Sequence, residues 1–354
     1  MLRTFCGVVL CWAVLQSNAA AGNKPEYEKF VQQGRAEYLS GQYGAAERSF
    51  VAALHALERN DYRERAKTLA HLGNVYLNQD LFPRAEQSYQ QSLAIYKQLA
   101  DKKQTALLLR HLGALYSMEG RDENALEVLR QALKLVKINH DTGLEVEVLN
   151  MIGVVYYRQR KIKKAENYFT EALNLASNSE QPVDLAELWN NLGNIYRDKH
   201  KYTEAEALLK RALSRVEEEA GLVHPVLTFT LSSLGELYTS TGRYAEAEAQ
   251  YQRALKILQS NSSNFDTQIA RLLHALSASY GKAGRKPEAD ATLAQAATIA
   301  RRNLSQHVEM APILEDYSAL LKNHGQSKEA EQLLAEVKLA RSSAGLVIRA
   351  HQEF

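Results

Sequence analysis

Cysteine is nearly missing from this sequence. Of 354 residues only Cys6 and Cys11 are cysteines, both close to the N-terminus. Proline is scarce as well, with six residues, which excludes collagen-like chains and leaves long stretches open to helix. Valine, isoleucine and threonine are sparse beside alanine and leucine, a bias away from sheet and toward an all-helical chain. Neither sign of charge prevails: 43 basic against 41 acidic side chains give a formal net charge of +2. There is therefore no basic field of the kind that holds nucleic acid. Long hydrophobic runs are missing too. The apolar stretch Phe5 to Leu15 falls well short of the roughly 20 residues a membrane-spanning helix needs.

That stretch still carries information. Arg3 precedes it and Ala19-Ala20-Ala21 follows it, the order of charge, apolar core and small-residue cleavage site found in secretory signals. Residues 1–21 are therefore expected to direct export to a periplasm or the cell exterior, in a bacterium. An uncleaved anchor, or a helix tucked against the core, are the alternatives. Cleavage would remove both cysteines, and with them disulfides, thiolate metal sites and cysteine nucleophiles. Basic and acidic side chains would then nearly balance.

What the sequence does have is a repeat. "HLGNVYLNQ" at His71 returns as "HLGALYSME", "MIGVVYYRQ", "NLGNIYRDK" and "SLGELYTST". The glycines Gly73, Gly113, Gly153, Gly193 and Gly235 are spaced 40, 40, 40 and 42 apart, each followed three residues later by a tyrosine. Twelve residues after each glycine stands an alanine, from Ala85 to Ala247. The frame extends upstream through Gly34, Gly41 and Ala46, and downstream with Ser277 and Ser318 replacing glycine. Eight units thus fill residues 26–341, one elongated array, with 342–354 expected to cap its end.

Each unit reads as two helices. Leu188, Trp189, Leu192, Gly193 and Tyr196 form an apolar stripe on the first, and Ala205, Leu208, Leu209, Ala212 and Leu213 on the second. Polar breaks such as "DKHKY" and "STGRY" separate them, with glycine available for a left-handed helix end. Asp61-x-x-Glu64, Asp101-x-x-Gln104, Thr142-x-x-Glu145 and Asp184-x-x-Glu187 look like capping boxes.

These positions resemble the tetratricopeptide repeat. Trp189, Leu192, Gly193, Tyr196, Ala205, Leu209 and Ala212 follow its W-L-G-Y-A-F-A pattern, with leucine for the usual aromatic and without the usual trailing proline. The units exceed the standard length of about 34 residues, and from Leu188 to Leu258 they are similar to the kinesin light chain type of repeat. The long heptad coiled coil of kinesin light chains has no counterpart here, so motor attachment is not implied. The resemblance implies an all-α solenoid, a right-handed superhelix whose concave face, lined by the first helices, holds peptide segments of partners.

On that expectation a polar stripe becomes the candidate site. Asn190, Asn194 and Asp198 recur at i, i+4 and i+8 beside the apolar stripe, with Arg197 adjacent. Asn74, Asn78, Arg110, Asn150, Arg158, Ser232 and Glu236 hold matching positions in other units. An asparagine amide offers both a donor and an acceptor to a peptide backbone, and arginine favours a carboxylate. Asn191 falls at the groove edge or against the neighbouring unit. Solvated surface is the bland alternative for any one of these residues. His71 and His111 share a repeat position and are expected on the groove or surface, with a weak metal site the less favoured reading. Asn261 and Asn303 begin glycosylation triplets.

No H-E-x-x-H, G-x-S-x-G, Walker loop or G-x-G-x-x-G occurs. The expectation is therefore a protein-binding scaffold rather than an enzyme, with no cofactor or metal, no nucleic acid and a protein or peptide partner. A regulatory subunit of a partner enzyme or envelope assembly machine is the alternative.

Overall fold

The computed structural model describes residues 24–177, 185–260, 265–305 and 307–350, with side chains as far as Ser342. The expected signal at 1–21, the Asp184 cap, the Asn261 triplet and the side chains of the C-terminal tail lie outside them. Among the described residues there is no β-strand. The chain divides into two compact units, one ending at Gln159 and the other beginning at Arg160.

The first unit holds α1 (24–39) and α2 (Tyr43–Ala56), α3 (Tyr62–Asn78) and α4 (Phe82–Gln98), α5 (Lys102–Met118) and α6 (Asp122–Asn139), then α7 (Thr142–Arg158). The second holds α8 (Ile162–Ser177), α9 (Leu185–Asp198) and α10 (Tyr202–Ala220), α11 (Leu227–Ser240) and α12 (Tyr244–Gln259). It ends with α13 (Asp266–Lys282) and α14 (Lys286–Asn303), α15 (Ala311–Asn323) and α16 (Ser327–Ala350). Within each unit a helix packs on the helix before it and the helix after it. First helices also meet first helices: α5 meets α7, and α9 meets α11.

The repeated small residues make these packings possible. A Cβ on Gly73 would stand 2.4 Å from the Tyr89 ring, and one on Gly193 would stand 2.7 Å from the Leu209 side chain. Ala205, Ala212, Ala247 and Ala254 are fully buried at the matching crossings. Tyr89 and Leu209 are themselves fully buried and have nowhere to retreat, so Gly193→Ala should cost about 1–3 kcal/mol through overpacking. Gly281, inside α13, meets nothing within 4 Å. There the same change should stabilise by about 0.5–1 kcal/mol, because alanine has less chain entropy to lose. Thermal midpoints of the two variants on opposite sides of the wild type would verify this.

The turn inside each hairpin places one residue in the left-handed region. Glycine occupies it at Gly120 (φ 74°) and Gly242 (φ 76°), but Asp80, Arg160 and His200 stand there at φ 57–59°. The capping expectation holds in part. Asp101 accepts from the Gln104 N–H at 3.1 Å. Asp61 instead accepts from the Glu58 N–H at 2.9 Å. For α7 the cap is Asp141, which accepts from the Leu144 N–H at 3.2 Å, rather than Thr142. A carboxylate is the stronger acceptor, and it lies one residue further out.

Candidate functional site, a polar ladder across the first helices

The ladder starts in the first unit at Asn74. Its Oδ1 accepts from the Tyr89 hydroxyl at 2.6 Å, which gives the otherwise buried phenol a partner. One turn on, the Asn78 amide donates to the Tyr38 hydroxyl at 2.9 Å and to the Asn74 carbonyl at 2.9 Å. Arg110 lies 3.2 Å from Glu147 on α7. Arg158 turns back along α5 and α6, donating to Ser117 and pairing with Asp122. The contacts of Asn78 with Tyr38, of Arg110 with Glu147 and of Arg158 with Ser117 and Asp122 join one repeat to the next.

The second unit carries the denser cluster. Asn194 donates to the Ser233 hydroxyl on α11 at 3.1 Å. Arg197 donates to the Asn194 oxygen at 3.1 Å, to Asp198 at 3.1 Å, and to Glu236 on α11. The sequence spacing of 39 is the same for Asn194 to Ser233 and for Arg197 to Glu236, so α9 and α11 run side by side in fixed register.

Two members of the stripe are covered. Asn150 is 6% exposed and Asn190 is 1% exposed, because adjacent first helices press together where the sequence pattern suggested an open polar face. Asn191 is buried as well. Asn190 stands apart: its Oδ1 and Nδ2 are both buried and neither has a hydrogen-bond partner. A buried polar group left in that state costs about 1–3 kcal/mol.

The two histidines at the shared repeat position make ring contacts. His71 stacks on Phe50 with centroids 5.1 Å apart, and His111 stacks on Tyr89 at 5.4 Å. Both are half-buried, with one ring face packed against a neighbouring helix. Burial drives the His71 pKa down to about 4 and that of His111 to about 3, with nearby cationic side chains adding to the effect. Among the described residues no group of three or more histidine, cysteine, aspartate or glutamate side chains could hold a metal ion. Asn303, the described glycosylation triplet, donates its amide to Asp266 at 3.2 Å and to the Ile299 carbonyl at 2.9 Å.

Sequence reasoning missed a second recurring device. The Tyr238 hydroxyl donates to Glu206 at 3.1 Å, and Arg243 donates to the same carboxylate at 2.6 Å while lying 4.2 Å over the tyrosine ring. Tyr116, Glu86 and Arg121 repeat this arrangement, as do Tyr280, Glu248 and Arg285. Hydrogen bonds from Arg243, ahead of those from Lys210 and Tyr238, hold the Glu206 carboxyl down at about 2. The signal was in plain view: a glutamate follows the recurring alanine at Ala85, Ala205 and Ala247, and an arginine closes the turn at 121, 243 and 285.

The tetratricopeptide repeat profile matches residues 64–138, 104–178 and 184–260, together more than half of the sequence. The chain belongs to the tetratricopeptide repeat family. It is a protein-interaction scaffold of a non-enzymatic repeat class. Solved structures agree on the fold. Aspartyl phosphate phosphatase F from Bacillus subtilis is 16% identical, with 82% of this chain and 74% of that one covered and a TM-score of 0.65. A Rap protein complexed with competence and sporulation factor is 19% identical over 79% of this chain and 76% of that one, with a TM-score of 0.61. BtubC (BKLC) from P. vanneervenii is 23% identical over 62% and 90%, with a TM-score of 0.52. At these identities the likeness concerns fold alone. No curated protein matches the sequence. Among the described residues no helix of this repeat protein is long and apolar enough to cross a membrane.

Proposed function

We propose that the protein is an exported scaffold that holds an extended peptide segment of a partner protein along its first helices, with the α9–α11 ladder as the principal contact. The observation that carries this reading is Asn190. Its amide presents a donor and an acceptor without partners, one helical turn from Asn194 and two from Arg197, whose own bonds run along the same face. A peptide group offers one acceptor and one donor, the complement of a side-chain amide. Opening the cover over Asn190 for such a group offsets a cost the free protein already carries. Arg197, 13% exposed at its side chain, can exchange Glu236 for a carboxylate of the partner at little net change in charge pairing. Asn74, Asn78, Arg110, Asn150 and Arg158 hold the matching positions within the first unit.

Partner capture with the exported protein tests the assignment. Asn190→Ala/Asn194→Ala/Arg197→Ala should lose its partner while keeping helical circular dichroism. A folded triple variant that retains every partner would remove the ladder from the binding site. N-terminal sequencing of exported protein tests cleavage after residue 21.

A further inference from the structure

Away from the ladder, the first unit has a groove of about 470 Å³ between the end of α4, the start of α5 and the end of α6. Its floor is apolar: Leu109, Leu135 and Ile138 line it, Leu109 being 2% and Ile138 60% exposed. Lys97, Lys102 and Lys134 stand around the rim, all exposed.

The carboxylates at the neighbouring helix ends are already engaged. Asp101 pairs with Arg63 at 2.5 Å, Asp141 with Lys103 at 3.0 Å, and Glu145 with Lys137 at 3.6 Å. The three rim lysines are left in surplus around an apolar floor. The repeat itself does not require them. Forty residues earlier the same places hold Leu57, Tyr62 and Ala94, and forty later Lys137, Thr142 and Asn174.

From this we infer that the groove docks an acidic amphipathic helix of a partner protein, with apolar side chains on the Leu109–Leu135–Ile138 floor and Asp or Glu side chains reaching the three lysines. Charge complementarity picks out the acidic character, since three cations without counter-charges match several carboxylates better than the single head group of a fatty acid. The shape picks out a helix face. An open trough between helix ends buries a row of side chains at i, i+3 and i+4, whereas a small amphiphile is normally enclosed over most of its surface. A membrane would be met by several protruding apolar side chains, and of these three only Ile138 is exposed.

The test is a display library of helical peptides sharing a leucine face but flanked by acidic, neutral or basic residues, selected on the full chain. Acidic sequences should be enriched. A labelled acidic peptide from that pool should weaken at least tenfold, by fluorescence anisotropy, on Lys97→Ala/Lys134→Ala and on Ile138→Asp. It should bind less tightly as salt rises, and equally well to Lys97→Arg/Lys134→Arg and to Asn194→Ala/Arg197→Ala. These substitutions lie at exposed or partly exposed positions, and an unchanged thermal midpoint confirms folding. The inference is overturned if no acidic peptide is selected, or if neutral and basic peptides are selected as readily. It is overturned equally if the acidic peptide ignores the lysine and Ile138 variants, or if only dodecanoate or phosphatidylglycerol vesicles bind at this groove.

Discussion

Replacing Asn190 with leucine should make the free protein more stable and a poorer binder. The two side chains share the same branched skeleton, so the change substitutes two methyl groups for the oxygen and nitrogen of the amide, with some added bulk. Asn190 is 1% exposed and its two polar atoms have no partner. Leucine removes that burden, about 1–3 kcal/mol for each unsatisfied group, and adds apolar burial. Imperfect fit of the new methyl groups returns part of it. A net gain of about 1–3 kcal/mol is expected, read as a higher thermal midpoint from the fluorescence of the neighbouring Trp189. Binding should move the other way. Two lost hydrogen bonds at about 1 kcal/mol each weaken affinity by about tenfold to fiftyfold. A lower midpoint would mean the amide supports the fold, and unchanged affinity would mean it never meets the partner. Few residues give such opposed signs, because evolution seldom keeps an unsatisfied amide in a helix interface that leucine could fill.

How far the sequence alone reached depended on what was repeated. The hairpins, the small residues at the crossings and the alternation of first and second helices were legible because Gly73, Gly113, Gly193 and Gly235 recur with a fixed frame, and packing must be solved the same way each time. The ladder was legible as a set of positions but not as a set of exposures. Asn190 and Asn194 are four residues apart on one helix, yet Asn190 is covered and Asn194 is half-buried. Burial depends on how closely α11 approaches α9, and the helix's own periodicity says nothing about that. The Tyr238–Glu206–Arg243 clasp was hidden for another reason. Its members are separated by 32 and 37 residues and belong to two repeats, so a search inside one repeat frame misses it. The α4–α6 groove is harder still, because its lysines interrupt the repeat pattern and come from three helices.

Acid should loosen the first unit well before it reaches ordinary carboxylates. His71 and His111 are half-buried and held as neutral rings, with pKa values of about 4 and about 3 against 6.5 for the free side chain. Above about pH 6.5 both folded and unfolded chains carry these rings neutral, and the full stability is present. Below it the unfolded chain takes up protons that the folded chain refuses, so stability falls as the pH drops toward the folded values. The lowered carboxyls act in a lower window. Asp101 and Asp141 start from 3.8 and move down, and Glu206 lies at about 2. Their contribution is present above the unfolded values and lost as pH falls through the folded ones, mainly below about pH 4. The interval from pH 6.5 to 4.5 therefore belongs to the two histidines, which together should cost about 2–5 kcal/mol across it. His71→Phe/His111→Phe keeps the stacking on Phe50 and Tyr89 but cannot take a proton. Urea midpoints of this variant should stay level over that interval while those of the wild type fall. A level wild type, or a double variant with the wild-type slope, would place the acid sensitivity elsewhere. The expected sign follows from the packing itself: an imidazole set face to face with a buried ring loses part of the water that would solvate its charge, and the stack that shapes the packing between helices also makes it sensitive to acid.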